Sequence, residues 1–121
     1  MPTRSIFIAA AVFNIIVALV LLFGRGHLAP YLGLSATTGS NALFADLAAV
    51  LVGVFGALYF AVATDPGWLR PVIPFGIAGK LLAFVVVMFH LAKGDISWTL
   101  AGPSFGDLVF AFLFWLCLVR G

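Results

Sequence analysis

Four stretches of this chain are apolar for long enough to cross a lipid hydrocarbon layer, and together they use up nearly the whole sequence. A spanning helix needs about 20 mostly apolar residues. Such runs fall at about residues 5–23, 42–64, 72–92 and 103–120 of the 121. A fold in water cannot hide them, because a small domain leaves a large share of its atoms on the surface. Only 8% of the residues are charged, against about 25% in a typical soluble domain. The pattern predicts an all-α, single-domain, integral membrane protein over 1–121: an antiparallel four-helix transmembrane bundle with the lipid bilayer as its solvent.

The breaks between the runs carry turn and loop residues. Pro30, Gly33 and Gly39 interrupt the first connection, and His27 to Leu34 suits a brief interfacial helix with Tyr31 at headgroup level. Asp65-Pro66-Gly67 closes the second run, and Pro71 and Pro74 sit where a helix tolerates proline, in its first turn. Lys93-Gly94-Asp95 and Gly102-Pro103 frame the last connection. The first run is longer than the about 7–15 apolar residues of a secretory signal. Gly24-Arg25-Gly26-His27 follows it in place of a small-residue cleavage site, so it reads as a retained span. Trp68, Trp98 and Trp115 suit interfacial anchoring. Arg4, Arg70 and Arg120 fall on one side and Arg25 and Lys93 on the other, which places both termini in the cytoplasm.

The informative residues are the polar ones inside the apolar runs. A charge at mid-membrane costs about 2.5–3.5 kcal/mol even on lenient insertion scales, so each needs an explanation. Lys80 lies near the middle of its run, about 13–15 Å along the helix axis. Snorkelling is one reading; an interior lysine paired with a carboxylate, or one held neutral by desolvation, is the other. Asp107 has capping-box spacing to Ser104, which gives it a local explanation too. Asp46 sits near the start of the second run and His90 near the end of the third. Helix rise predicts one layer of Asp46, Asp107 and His90 with Lys80 deeper, and a Lys80–Asp107 pair, direct or bridged by water, with Asp46 and His90 nearby. Asn14 and Tyr59 complete the candidate ligand or ion pathway. Neither the spacing of His90 nor that of the acids matches a metal motif, and no metal is assigned.

Gly53 and Gly56, like Gly76 and Gly79, place small residues three apart, which predicts close crossing of the second and third helices. Phe84, Phe89, Phe105, Phe110, Phe112 and Phe114 are candidate walls of an apolar pocket. Cys117 is the single cysteine, so neither an internal disulfide nor a paired-cysteine site can form, and a buried, inert thiol is expected. The six basic residues are scattered, which excludes a nucleic-acid footprint.

The runs Gly53-Val54-Phe55-Gly56-Ala57-Leu58-Tyr59, Ala63-Thr64-Asp65-Pro66, Gly76-Ile77-Ala78-Gly79-Lys80 and Asp107-Leu108-Val109-Phe110 resemble small bacterial four-span proteins of the broad DoxX-like grouping. The resemblance implies a four-helix bundle in a bacterial inner membrane with an accessory role. Val109 and Phe110 stand where such relatives carry tryptophans. Three functions follow as expectations. The first is a non-catalytic accessory or scaffold subunit, packed on a membrane-protein partner or holding a lipid or quinone-like ligand. The second is a small transporter or channel, as a homo-oligomer, that uses Lys80 and the acids. The third is an intramembrane lipid-modifying enzyme. The sequence names no cofactor.

Overall fold

The computed structural model describes residues 3–32 and 39–120; of the expected first connection, Gly33 and Leu34 lie outside them. Among the described residues every regular element is helical: α1 (Thr3–Leu19), a π-helical turn (Val20–Gly24), α2 (Arg25–Leu32), α3 (Ser40–Thr64), a 3-10 turn (Arg70–Val72), α4 (Ile73–Ala92) and α5 (Trp98–Arg120). Four of the resulting helices are long and apolar enough to cross a membrane: Thr3–Tyr31, Ser40–Thr64, Arg70–Lys93 and Trp98–Arg120.

Two helix ends differ from the sequence expectation. Gly24-Arg25-Gly26-His27 is not a break. The backbone widens into a π-helical turn over Val20–Gly24 and runs on as α2 through Pro30. A π turn shifts the hydrogen-bond ladder by one residue and leaves a carbonyl short of its usual partner. Arg25 Nη1 donates to the Leu21 carbonyl at 3.1 Å, in the widened segment. The fourth helix begins at Trp98 rather than at 103, on the acceptor of Ser97, whose Oγ takes the Leu100 N–H at 3.4 Å. Ser104 therefore lies inside the helix, and its hydroxyl donates to the Ala101 carbonyl at 2.6 Å. The capping-box reading of Ser104 and Asp107 fails because the helix has already started, and Asp107 is left without a local role.

The other ends behave as their residues dictate. Asp65 accepts the Trp68 N–H on its side chain, at 3.3 Å, and turns the chain after α3. After α4, Gly94 takes φ +80°. The Gly94 N–H then reaches the Leu91 carbonyl and the Asp95 N–H the His90 carbonyl, the paired bonds of a Schellman motif. An Arg70 guanidinium N–H reaches across to the Leu118 carbonyl and caps the end of α5.

α1 packs along α3, α4 packs along α5, and the two pairs meet mainly where α1 touches α5. α3 and α4 make no comparable contact. The close crossing expected of Gly53 and Gly56 with Gly76 and Gly79 is therefore absent. Gly53 and Gly56 instead face α1, where a β-carbon on Gly56 would stand 3.0 Å from Ile15 and 3.2 Å from Asn14. Gly76 makes room for the rings of Tyr59 and Phe114.

The core occupies one half of the bundle. Ile6, Phe7, Ala10 and Ala11 meet Tyr59, Val62, Ala63, Ile73, Phe114 and Cys117 there. Phe7 stacks on Phe114 with centroids 4.3 Å apart, and Tyr59 meets the same ring edge-on at 5.1 Å. In the other half the buried positions are small: Ala18, Ala49, Ala101 and Ser104. The outward faces have no polar side, and Ile16, Phe23, Phe44, Leu51, Leu82, Val86 and Phe112 are all exposed.

Candidate functional site

The junction of the two halves holds the cluster of buried polar groups. Lys80 is 4% exposed, although it carries an ammonium near the middle of α4. Its Nζ donates to Asn14 Oδ1 at 2.6 Å and to Asp107 Oδ1 at 2.8 Å. Asn14, Lys80 and Asp107 each stand near the midpoint of their helix, so three elements deliver one polar group to a common level. The rings of Phe13, Tyr59 and Phe110 surround the ammonium, with centroids 4.9, 5.4 and 5.5 Å from Nζ. A cation near ring faces gains from their quadrupoles, most where water is excluded. The charge is thus met by one carboxylate, one amide oxygen and three rings.

Asn14 is oriented from behind. Its Nδ2 donates to the Val52 carbonyl of α3 at 3.1 Å, which turns Oδ1 toward Lys80. Gly56, one turn beyond Val52, lets α1 come close enough for this bond. Asp107 has 21% of its side chain exposed and makes one hydrogen bond among the described residues, through Oδ1 to Lys80.

An apolar cleft of about 350 Å³ opens above this cluster. Val17, Ala48, Leu51, Val52, Phe55, Gly79, Ala83 and Pro103 line it, with Phe13, Asn14, Tyr59, Lys80 and Asp107 at its polar end. It lies between the α1–α3 pair and the α4–α5 pair, where α3 and α4 leave a gap. Small side chains help leave it open: Ala48, Gly79 and Ala83 stand in its wall beside the larger Val17, Leu51, Val52 and Phe55.

The structure thus brings four of the six candidate residues together: Asn14, Tyr59, Lys80 and Asp107. It separates the other two. Asp46 pairs with Arg25 at 2.7 Å, because the unbroken run of α1 into α2 carries Arg25 to the start of α3. His90 donates from Nδ1 to Asp95 Oδ2 at 2.8 Å, because the Schellman turn folds Asp95 back over the end of α4. That bond, helped by Lys93 at 3.5 Å, holds the Asp95 carboxyl below the ordinary carboxylate range. Asp46 and His90 thus each have a partner other than Lys80 and Asp107.

Of the phenylalanines expected to wall a pocket, Phe110 reaches the cluster, over the Lys80 ammonium, and the others sit elsewhere. Phe114 is in the core, Phe84 packs edge-on against Phe105 at 5.6 Å, and Phe89 and Phe112 are exposed. The rings that line the cleft are Phe13 and Phe55, which no charge or spacing singled out. Arg25 is likewise missed by the sequence, which shows it only as a basic residue beside the first run. No family model, curated protein or solved structure matches the chain.

Proposed function

We propose that this chain is an integral membrane protein, an antiparallel four-helix transmembrane bundle, which holds a lipid or quinone-like molecule as a non-catalytic accessory subunit. One observation carries the reading: an apolar cleft of about 350 Å³ ends on a compensated polar cluster at the mid-level of four long apolar helices. Ligand sites are concave, mostly apolar and fixed by a few polar groups, with volumes of about 300–1,000 Å³. A cleft open between α3 and α4 faces the acyl chains in such a bundle, so a lipophile enters from the side and needs no aqueous route.

The membrane part of the proposal rests on the apolar outward faces and on the ends of the helices. Trp68 and Trp98, 80% and 70% exposed at the connections, suit the headgroup layer. Lys80 is affordable at mid-membrane because it is paired and hydrogen-bonded. The count of Arg4, Arg70 and Arg120 against Arg25 and Lys93 supports both termini in the cytoplasm. The resemblance to DoxX-like proteins supports a bacterial inner membrane.

Conduction through a single chain is the weaker reading. Phe7, Val62, Ile73 and Phe114 are fully buried and fill the half beyond the cluster. A pathway through one subunit meets that plug.

Native mass spectrometry of the protein extracted gently from its own membrane tests the proposal. The expected result is one apolar adduct per chain, lost in Ala83→Phe, which fills the cleft. A homo-oligomer with no adduct would refute ligand holding and put transport first.

A further inference from the structure

The floor of the cleft specifies what kind of head it receives, and this step rests on the ligand-holding reading above. Tyr59 is 2% exposed, and its ring is wedged among Phe7, Phe55 and Phe114. Its hydroxyl makes no hydrogen bond to any described residue. Yet every fully enclosed side-chain nitrogen and oxygen among the described residues has a partner. The hydroxyl is therefore not sealed in, and Tyr59 is one of the residues that line the cleft. A buried tyrosine normally gives its O–H to an acceptor. The acceptor for this one must come from whatever enters the cleft.

Charge decides the rest. Lys80 and Asp107 already neutralise one another at 2.8 Å. An anionic head would add an uncompensated negative charge beside Asp107, in an apolar cleft where water cannot screen it. A cationic head would add a positive charge beside Lys80. Either ion is penalised by desolvation without a free countercharge. A neutral oxygen is not. It accepts from the Tyr59 O–H, lies beside the Lys80 ammonium, and asks for no counterion.

We infer that the cleft selects a neutral lipophile whose head carries an oxygen acceptor, a carbonyl or hydroxyl, hydrogen-bonded by Tyr59 with its tail passing out between α3 and α4. A quinone and an isoprenoid alcohol share this chemistry, and the mass of the adduct retained from the native membrane tells them apart.

Three matched probes separate selection from mere occupancy: 4-decylacetophenone, 1-decyl-4-ethylbenzene and 4-decylbenzenesulfonate. They carry the same ring and tail, with a neutral acceptor, no acceptor, and a permanent anion. Each is added at equal mole fraction to nanodiscs of one lipid holding the full-length protein, and retention is read by native mass spectrometry. The ketone should be retained about three- to tenfold better than the hydrocarbon, the size of one net hydrogen bond, and the sulfonate no better than the hydrocarbon. Tyr59→Phe keeps the ring, and so the packing, and should lower the ketone to the hydrocarbon's level without changing the hydrocarbon.

Equal retention of ketone and hydrocarbon by the wild type would overturn the inference while leaving ligand holding intact. So would preferred retention of the sulfonate, or a ketone preference that survives Tyr59→Phe. Retention of none of the probes would overturn ligand holding itself.

Discussion

The two halves of this bundle are made from helices of the same kind, yet one is filled and the other is cleft. In the filled half, Phe7, Tyr59 and Phe114 lock together with Ile6, Val62 and Ile73. In the other, the inward positions are Ala18, Ala49, Ala101 and Ser104, and the cleft walls include Ala48, Gly79 and Ala83. Hydropathy does not distinguish them. Side-chain volume does: rings fill one half, and small residues stand at many inward positions of the other. The filled half packs the helices together; the other half leaves a cleft. The polar cluster stands between them.

The largest effects should come from exchanging the character of the halves. Phe114→Ala removes a fully buried ring that stacks on Phe7 and meets Tyr59. Its expected cost is about 3–5 kcal/mol, read by unfolding in mixed micelles with rising SDS. Ala83→Phe adds a ring of the same size to the cleft wall. It should leave the unfolding free energy within about 1 kcal/mol, because volume is added where there is room, and it should abolish the adduct. A large loss from Ala83→Phe would mean that the cleft half is as tightly packed as the other.

Next comes the cluster at the boundary. Asp107→Leu strands the Lys80 ammonium with only Asn14 and three rings, and an uncompensated buried charge costs about 3–5 kcal/mol. Combining it with Lys80→Met removes the charge as well and should recover most of that loss. The same unfolding assay on both single variants and the double variant gives the coupling. Additive losses would show that the pair contributes nothing as a pair. Gly56→Ala should act on the same cluster more weakly, by about 1–3 kcal/mol, since a β-carbon 3.0 Å from Ile15 pushes α1 and Asn14 away from the Val52 carbonyl.

Much of this arrangement was legible in the sequence, and the parts that were not share a physical reason. The four long helices follow from apolar run length alone. Helix rise predicts the Lys80–Asp107 contact even with Asp107 in the first turn of its helix; the pair forms with Asp107 nearer mid-helix, because α5 already starts at Trp98. Rise gives level but not rotation. It therefore could not say that Asn14 faces Lys80, or that Gly53 and Gly56 turn toward α1 instead of α4. The Arg25–Asp46 pair does not show in the sequence because Gly24 and Gly26 look like a break, while a π-helical turn carries Arg25 onward as helix. Of the cleft, only the polar end shows in the sequence, as Asn14, Tyr59, Lys80 and Asp107; its apolar space does not. It is a deficit of volume, and Ala48 and Ala83 read as ordinary helix residues until the helices around them are in place.

The outer pairs set the lower end of the scale. Asp46 is half exposed beside Arg25, so Asp46→Asn should cost no more than about 1 kcal/mol. The weakest is His90–Asp95, both 44% exposed. Because Asp95 titrates below the ordinary carboxylate range, the folded turn favours its ionised form. Its contribution is therefore complete above the ordinary aspartate value and is lost as pH falls through the depressed one. The bundle should not notice, since the pair touches neither the filled half nor the cluster. The turn should: hydrogen exchange at the Gly94 and Asp95 amides should quicken relative to its intrinsic rate as the pH falls through that range. His90→Phe removes the largest cause of the depression, so the Asp95 carboxyl should then titrate closer to its ordinary value, followed by carboxyl carbon NMR. If His90→Phe leaves that titration unmoved, Lys93 holds Asp95 instead, and the turn is stabilised by its backbone motif alone.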